Sequence, residues 1–240
     1  MLPLKHQNKL REQYQQKHPG WRTSGEIYQY LVYQQIKQSG RVLDLGCGRG
    51  GLSEKLSNMG IDIDGIDIDL QSLQNHRNKT IQLYNGNSNT LPFKSNSYTT
   101  IISSWTIEHL QEPLRTFQEI NRILKPGGSF IFLTPHKNHP IVLANMISKI
   151  MPTLQNNLVK ILYDRDDTDT FPVYYLANTE ISINQLTKKA GLRSAQIQII
   201  KDPTYLAFNQ IMFKLSVLLE KIMSKNWGIH LIGTIQKPNH

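Results

Sequence analysis

The stretch VLDLGCGRGG, Val42 to Gly51, constrains the fold more than any other part of the chain. A short apolar run enters a loop that carries four glycines within six residues. Glycine adopts positive φ at no steric cost and puts no Cβ between the backbone and whatever approaches it. Leu52, Leu56 and Met59 then recur at helical spacing, and Gly60 stops that helix. Strand, tight glycine turn and helix make a βα unit, whose natural setting is a parallel sheet.

The rhythm continues. The first strand is expected at about Arg41–Leu45. IDIDGID ends a second strand near Asp67, a short helix runs over Leu70–Asn75, and IQLYN is a third strand. TLPFKSNS is a turn, and YTTIISSW, Tyr98–Trp105, is a fourth strand. EPLRTFQEINRIL is a helix with Pro113 in its first turn and Leu114, Phe117, Ile120 and Leu124 on its apolar face. KPGG, Lys125–Gly128, breaks that helix, and SFIFLTP is a fifth strand. Before this core, Ile27, Tyr28, Leu31, Val32 and Ile36 mark a helix that Gly40 ends. After it, PIVLANMISKIM and LQNNLVKILY read as amphipathic helices inside a long insertion, 136–177. NTEISINQLTKKAGL is a helix with Thr179 as N-cap and Gly191 at its end, and LRSAQIQII is a sixth strand. Tyr205–Met223 is a helix with Phe208, Ile211, Met212, Leu215, Leu218, Leu219 and Ile222 on a broad stripe, and GIHLIGTIQ is the last strand. The expected organisation is one domain over residues 1–240. It has an N-terminal helical cap (1–40), a ligand-binding core (41–135) and insertions at 136–177 and 201–226.

Hydrophobic residues make up 39% of the chain without any run of 18, so no transmembrane helix is expected. The first residues have no apolar segment of signal-peptide length, and one cysteine excludes a disulfide framework. A cytoplasmic protein is the simplest reading. The net charge of +9 is unevenly placed: +4 over residues 1–40, zero over 41–135 and +5 over 136–240. Basic flanks attract nucleic acid, anionic lipid or acidic substrates, and equally serve as a solvated surface.

In an open α/β sheet a ligand binds beyond the carboxyl ends of the strands, where this glycine loop lies. Gly46, Gly48 and Gly51 match G-x-G-x-x-G, a weak signal alone. Asp44 argues against a pyrophosphate, because like charges in a partly desolvated loop are costly. It favours a cation. S-adenosylmethionine carries an ammonium and a sulfonium and no phosphate. Asp67, at the end of the second strand, accepts from ribose hydroxyls and serves NAD and S-adenosylmethionine equally.

Several segments in order carry a more specific signal. VLDLGCGRG resembles the first motif of class I S-adenosylmethionine-dependent methyltransferases (the type 11-like group), and GIDID resembles the second. The run from Asn85 to Pro135, with its LPF, EHL and LKPGG, resembles the family's following segment. The resemblance covers about residues 25–135. It implies a Rossmann-like three-layer α/β sandwich with a seven-stranded, mostly parallel sheet. GIHLIGTIQ takes the place of the antiparallel last strand, and the insertions are helical. It implies that Asp44, Gly46, Cys47 and Gly48 line the amino-acid end of the cofactor. Asp67 would hold the ribose and Ile68 the adenine face. Asn87 stands where the family has Asp for the adenine amino group, and the Ser88 backbone would meet the ring edge. Ser104 and Trp105 would lie beside the cofactor, with Gly25 near its methionine end. Asp69 is expected at a helix start rather than on the ribose, and Cys47 is a small loop residue rather than a nucleophile.

His109, in EHL, is the candidate general base, with a structural histidine as the alternative. No metal is expected: Trp105 stands where ubiquinone O-methyltransferases carry an additional glutamate, and His136 and His139 read as solvated loop residues. SSWT lacks the motif of amino-group DNA methyltransferases, and SSWTIEH has no cysteine for cytosine C5 chemistry. The expected function is methyl transfer to a small-molecule or lipid-like acceptor, such as a quinone, lipid or glycan precursor. The alternatives are an RNA methyltransferase using the basic flanks, a NAD(P)-dependent oxidoreductase, and a non-catalytic cofactor-binding protein. Nucleic acid is the disfavoured partner, since no aromatic-basic RNA module is present. The late apolar stripes are expected to pack on the sheet. FPVYY, Phe171–Tyr175, suggests instead an aromatic pocket, and Lys149, Lys160, Lys214, Lys221 and Lys225 suggest peripheral docking on an anionic membrane.

Overall fold

A computed structural model describes residues 2–36, 40–150, 171–207 and 210–239. Two helices, α1 (Leu2–Lys17) and α2 (Ser24–Gln35), precede β1 (Val42–Leu45). Then come α3 (Leu52–Asn58), β2 (Ile63–Asp67), α4 (Leu70–Gln74), β3 (Gln82–Asn85), β4 (Tyr98–Ser104), α5 (Pro113–Ile123), β5 (Leu124–Pro135) and α6 (Pro140–Ile150). The chain ends with α7 (Glu180–Lys189), β6 (Gln196–Ile200), α8 (Gln210–Ile222) and β7 (His230–Gln236). The expected helix over LQNNLVKILY lies outside the described residues.

The strands form one seven-stranded sheet in the order β3-β2-β1-β4-β5-β7-β6. β1, β2, β3, β4 and β5 are parallel, with Asp44 opposite Gly65 on one side and Ile102 on the other. β7 runs against β5. The Lys237 amide donates to the Gly128 carbonyl (2.9 Å), and at the other end, just past β5, the His136 amide donates to the Ile229 carbonyl (2.8 Å). This is a Rossmann-like α/β sandwich with an antiparallel last strand. The order reverses at β1, between β2 and β4, and that switch point puts a crevice at the carboxyl ends of β1 and β4.

The chain groups into two compact units. The larger comprises Tyr28–Thr134, Val173–Gln198 and Leu231–His240. Its core holds Leu43, Ile66, Ile101, Ile102, Phe130 and Phe132 from the strands, and Phe117, Ile120 and Ile123 from the inner face of α5. α7 starts on a capping box: the Thr179 hydroxyl accepts from the Ser182 amide, and Ser182 Oγ accepts from the Thr179 amide. On β2, Asp64 is 2% exposed, takes two contacts from the Arg41 guanidinium (2.9 and 3.1 Å) and accepts from the Tyr98 hydroxyl of β4 (2.6 Å). We expect Asp64→Ala to cost about 3 kcal/mol, because the buried Tyr98 hydroxyl loses its acceptor and Arg41 its partner. Thermal unfolding should show a drop of roughly 6–12 °C for a chain of this size, with a smaller drop for Asp64→Asn, which keeps an acceptor oxygen.

The smaller unit comprises Met1–Ile27, Pro135–Pro172 and Ile199–His230. Its interior carries a polar network beside buried Leu10, Val142 and Ile229. Ser24 Oγ lies 2.7 Å from His230 Nδ1, and the Ser24 amide donates to Asp202 Oδ2 (3.0 Å). Asp202 Oδ1 accepts from the Thr204 hydroxyl (2.6 Å), and the Gln7 amide nitrogen donates to the Thr204 and Tyr205 carbonyls. His136 and His139, expected in solvent, are instead 3% and 1% exposed. His136 Nδ1 lies 3.0 Å from the Gly228 carbonyl, and His139 Nδ1 accepts from the Ile141 amide (3.3 Å). Burial lowers His139 to about 4 and His230 to about 3, so both stay neutral.

Three element boundaries depart from expectation. α2 ends at Gln35, and Gly40 serves another purpose: a Cβ there would fall 2.1 Å from Thr99 Oγ1. Lys125–Gly128 does not separate α5 from β5. The strand starts at Leu124, and Gly127, at φ +72°, bends it where the ladder to β4 shifts register between Tyr98 and Thr100. The long helix expected over Tyr205–Met223 is a short 3-10 turn at Pro203–Leu206 followed by α8. Its apolar stripe faces outward: Ile211 and Ile222 are each 73% exposed, and Leu215, Leu218 and Leu219 are exposed too. Phe208 lies outside the described residues.

Candidate functional site

The loops after β1, β2 and β4 share the carboxyl edge of the sheet. The first is fixed by its glycines. The Gly46 and Cys47 amides both donate to the Ile66 carbonyl (2.8 and 3.1 Å), tying the loop to β2. Gly46 has φ +78°, and a Cβ there would fall 2.1 Å from Thr106 Oγ1. The Thr106 hydroxyl lies 3.2 Å from both the Leu45 and Ser104 carbonyls, so the loops after β1 and β4 close on each other at this glycine. Gly48, at φ +52°, differs: a Cβ there would meet nothing within 4 Å. One glycine serves packing and the other leaves open space for a ligand.

Beneath the loop, Asp44 is 7% exposed at the switch point. Burial raises its carboxyl to about 7, the Ser53 hydroxyl partly opposes this, and the Asp67 charge adds to it. A cation beside Asp44 would relieve that penalty. Asp67 is held by two backbone amides, Gly48 to Oδ2 (2.7 Å) and Asp69 to Oδ1 (2.9 Å). Each oxygen keeps a further acceptor site, which suits two hydroxyls. Ile68, the next residue, is 63% exposed. Asp69 sits at the start of α4, where its carboxylate caps the Gln71 and Ser72 amides.

Cys47 is buried and lies over Gly65, where a Cβ would come 2.8 Å from its Sγ. Burial and the Asp44 charge push its thiol well up, as suits a packing residue and not a nucleophile. Asn87 is exposed, and its side-chain oxygen accepts from the Asn89 amide (2.9 Å). The Ser88 hydroxyl lies 3.0 Å from Thr116 Oγ1 on α5 and is engaged there. Ser104 ends β4 half-buried, and Trp105 follows at φ +59° with 40% of its surface exposed. A left-handed tryptophan carries strain of about 1–3 kcal/mol, and such strain gathers at ligand clamps. His109 closes a short 3-10 turn, Ile107–His109, and is half-buried. Gly25 lies in the first turn of α2, in the smaller unit.

Four contributors were absent from the sequence reading. Asn85 donates its amide to the Asp67 and Ile68 carbonyls (3.1 and 3.0 Å) and so fixes the acidic loop. Thr106 braces Gly46. Tyr28 is buried close enough to Asp44 for that charge to help raise its phenol. Glu108, 4% exposed, bonds Thr134 Oγ1 (3.0 Å), which in turn accepts from Asn178 Nδ2 (2.7 Å). Burial raises Glu108 to about 7. Its carbonyl accepts from the Tyr174 and Tyr175 amides, which locks the turn carrying His109. Only the requirement of a close partner at Gly46 could have pointed to any of these.

The residues present fit S-adenosylmethionine: a buried carboxylate for its positive charge, a fixed carboxylate for ribose, an exposed aliphatic face, and an open glycine. No group of three or more histidine, cysteine, aspartate or glutamate side chains placed to hold a metal occurs among the described residues.

The profile of the methyltransferase domain family matches residues 43–132, which include the loops after β1, β2 and β4. Residues 43–132 thus carry a methyltransferase domain. The chain is 34% identical over 106 residues to sarcosine/dimethylglycine N-methyltransferase from Aphanothece halophytica, covering 40% of this chain and 38% of that protein. It is 31% identical over 109 residues to demethylmenaquinone methyltransferase from Paenarthrobacter aurescens, covering 45% and 42%. The match thus spans about two fifths of the length of these curated relatives. Phosphoethanolamine N-methyltransferase 2 from Haemonchus contortus, solved with S-adenosyl-L-methionine, has the same fold. Its TM-score is 0.61 at 20% identity, over 89% of this chain and 52% of that one.

Proposed function

We propose that this methyltransferase moves a methyl group from S-adenosylmethionine to a small-molecule or lipid-like acceptor, with a quinone-type ring or an amine as the leading classes. The observation that carries the reading is Asp44: a carboxylate buried beneath a glycine loop, with no basic partner among the described residues and with the Asp67 charge acting on it. The cofactor supplies a carbon already activated by positive sulfur. Asp44 balances positive charge at the methionine end, and the two bound amides hold Asp67 oriented toward ribose hydroxyls. Ile68 and Trp105, exposed just after β2 and β4, would present apolar surface to the cofactor and keep water off it. His109 is a candidate to take a proton at a ring nitrogen when the acceptor atom carries one. Glu108 acts as its support, because the turn bearing His109 hangs on the Glu108 contacts. The names of the curated relatives, one acting on an amine and one on a quinone, support a small acceptor without choosing between the two.

Thermal unfolding with S-adenosylmethionine, S-adenosylhomocysteine and NADH tests the cofactor. At ligand near 100 times Kd, linkage adds about 2.7 kcal/mol. That is a rise of roughly 5–11 °C in the midpoint for a chain of this size. The rise is expected with both sulfur ligands and is expected to vanish in Asp67→Ala. A rise with NADH alone would overturn the reading.

A further inference from the structure

The outward face of α8 is the feature the methyl-transfer reading leaves unused. Ile211, Lys214, Leu215, Leu218 and Ile222 fall at spacings of three and four, so they share one side of the helix, with Leu219 and Lys221 at its edges. The five aliphatic side chains on this face are 38% to 73% exposed, and both lysines are exposed. Trp227, just past the helix, is 49% exposed. The opposite side is seated within the smaller unit. Ser216 is buried, Phe213 meets the Tyr14 ring edge-on at 5.8 Å, and Lys201 caps the C-terminus by donating to the Met223 carbonyl (2.7 Å). Glu220 is the one acid of α8, and its Oε2 is buried on that inner side.

We infer that this face of α8 docks on an anionic lipid surface. Aliphatic side chains on one side of a helix, with lysines among and beside them and an aromatic residue near the end, suit the boundary between head groups and acyl chains. The lysines reach anionic phosphates while their stems stay apolar. A second copy of the chain is a poorer occupant, since face on face would oppose lysine to lysine with no carboxylate to separate them. No described helix is long and apolar enough to cross a membrane, so the helix lies on the surface rather than spanning it.

The test is co-flotation of the full chain with vesicles of phosphatidylcholine alone, or of phosphatidylcholine with roughly a third phosphatidylglycerol. Binding is expected to the anionic vesicles only, and to weaken in about 1 M NaCl, where the Debye length falls to about 3 Å. The pairs Leu215→Glu with Leu218→Glu, and Lys214→Glu with Lys221→Glu, should each reduce binding by about tenfold or more. Thermal midpoints confirm that the variants fold. If the leucine pair does not fold, Ile211→Ser with Ile222→Ser, at the two most exposed positions, takes its place. Equal binding to both vesicle types, no binding by the wild type, or binding indifferent to the leucine and isoleucine changes would overturn the inference. So would sedimentation of the wild type as a dimer that the leucine pair converts to monomer without any vesicle binding.

Discussion

Gly46→Ala should unfold the cofactor loop, at a cost of about 3–5 kcal/mol, whereas Gly48→Ala, two residues on, should leave the fold nearly intact and impair binding instead. At Gly46 the added Cβ falls 2.1, 2.7 and 2.9 Å from three atoms of Thr106. The threonine cannot swing aside without giving up its place between the Leu45 and Ser104 carbonyls. The left-handed φ of +78° adds about 1–2 kcal/mol. At Gly48 the φ of +52° carries a similar backbone cost, but the new methyl enters open space, on the side left for the ligand. Thermal unfolding should therefore separate the two variants, and calorimetric titration with S-adenosylmethionine should bring them together as non-binders. Adding Thr106→Gly to Gly46→Ala should recover much of the lost stability by removing the clash. If the double variant is no more stable than Gly46→Ala, the Thr106 account is wrong.

Asp44 should make cofactor affinity depend on pH, and should do so at the expense of the free protein. Its carboxyl rises from an ordinary 3.8 to about 7 in the folded chain. A cationic ligand binds the ionised form. Affinity should therefore be flat above pH 7 and fall about tenfold per pH unit below it, as binding must first expel a proton. For folding the sign is opposite. A raised carboxyl gives stability that is complete below the unfolded value and is lost as pH rises through the folded one, here between pH 4 and 7. The loss amounts to about 4 kcal/mol at order of magnitude. Asp44→Asn removes the charge and keeps the shape. It should raise the ligand-free unfolding midpoint at pH 8, abolish the pH dependence of binding, and weaken binding about thirtyfold or more, from about 2 kcal/mol or more of lost charge pairing. A variant that bound as tightly as the wild type would remove Asp44 from the site. The position is thus kept against stability, as expected where a buried charge waits for its partner.

The alternation of strands and helices was legible because each element carries its own period: two for strands, near four for helices. The glycine loop and the Thr179 cap were legible for the same reason, since both are local. What escaped depends on partners far along the chain. Gly40 looked like a helix stop because the close approach of Thr99 leaves no mark in neighbouring residues. His136 and His139 looked solvated, and nothing local tells that their segment is buried. Asn85 was passed over for Asn87, because only the β2–β3 pairing brings its amide to the Asp67 carbonyl. The stripe on α8 was read correctly as a stripe, but periodicity tells which residues share a face and not which way the face turns. Asp44 and Asp67 were named from sequence, while the amides that fix Asp67 and the burial that perturbs Asp44 came only from the fold.

The bond between Ser24 and His230 has a consequence for how the chain is made. The two residues are 206 positions apart, and the smaller unit draws on three separated stretches. At about 5–20 residues per second, the ribosome delivers His230 roughly 10–40 seconds after Ser24. The larger unit gains β1 to β5 well before then, while Leu10, 3% exposed once folded, still lacks the last stretch of its unit. The segment of α1 is therefore among the last to find its place, and a nascent chain must keep that helix soluble until β7 begins to emerge.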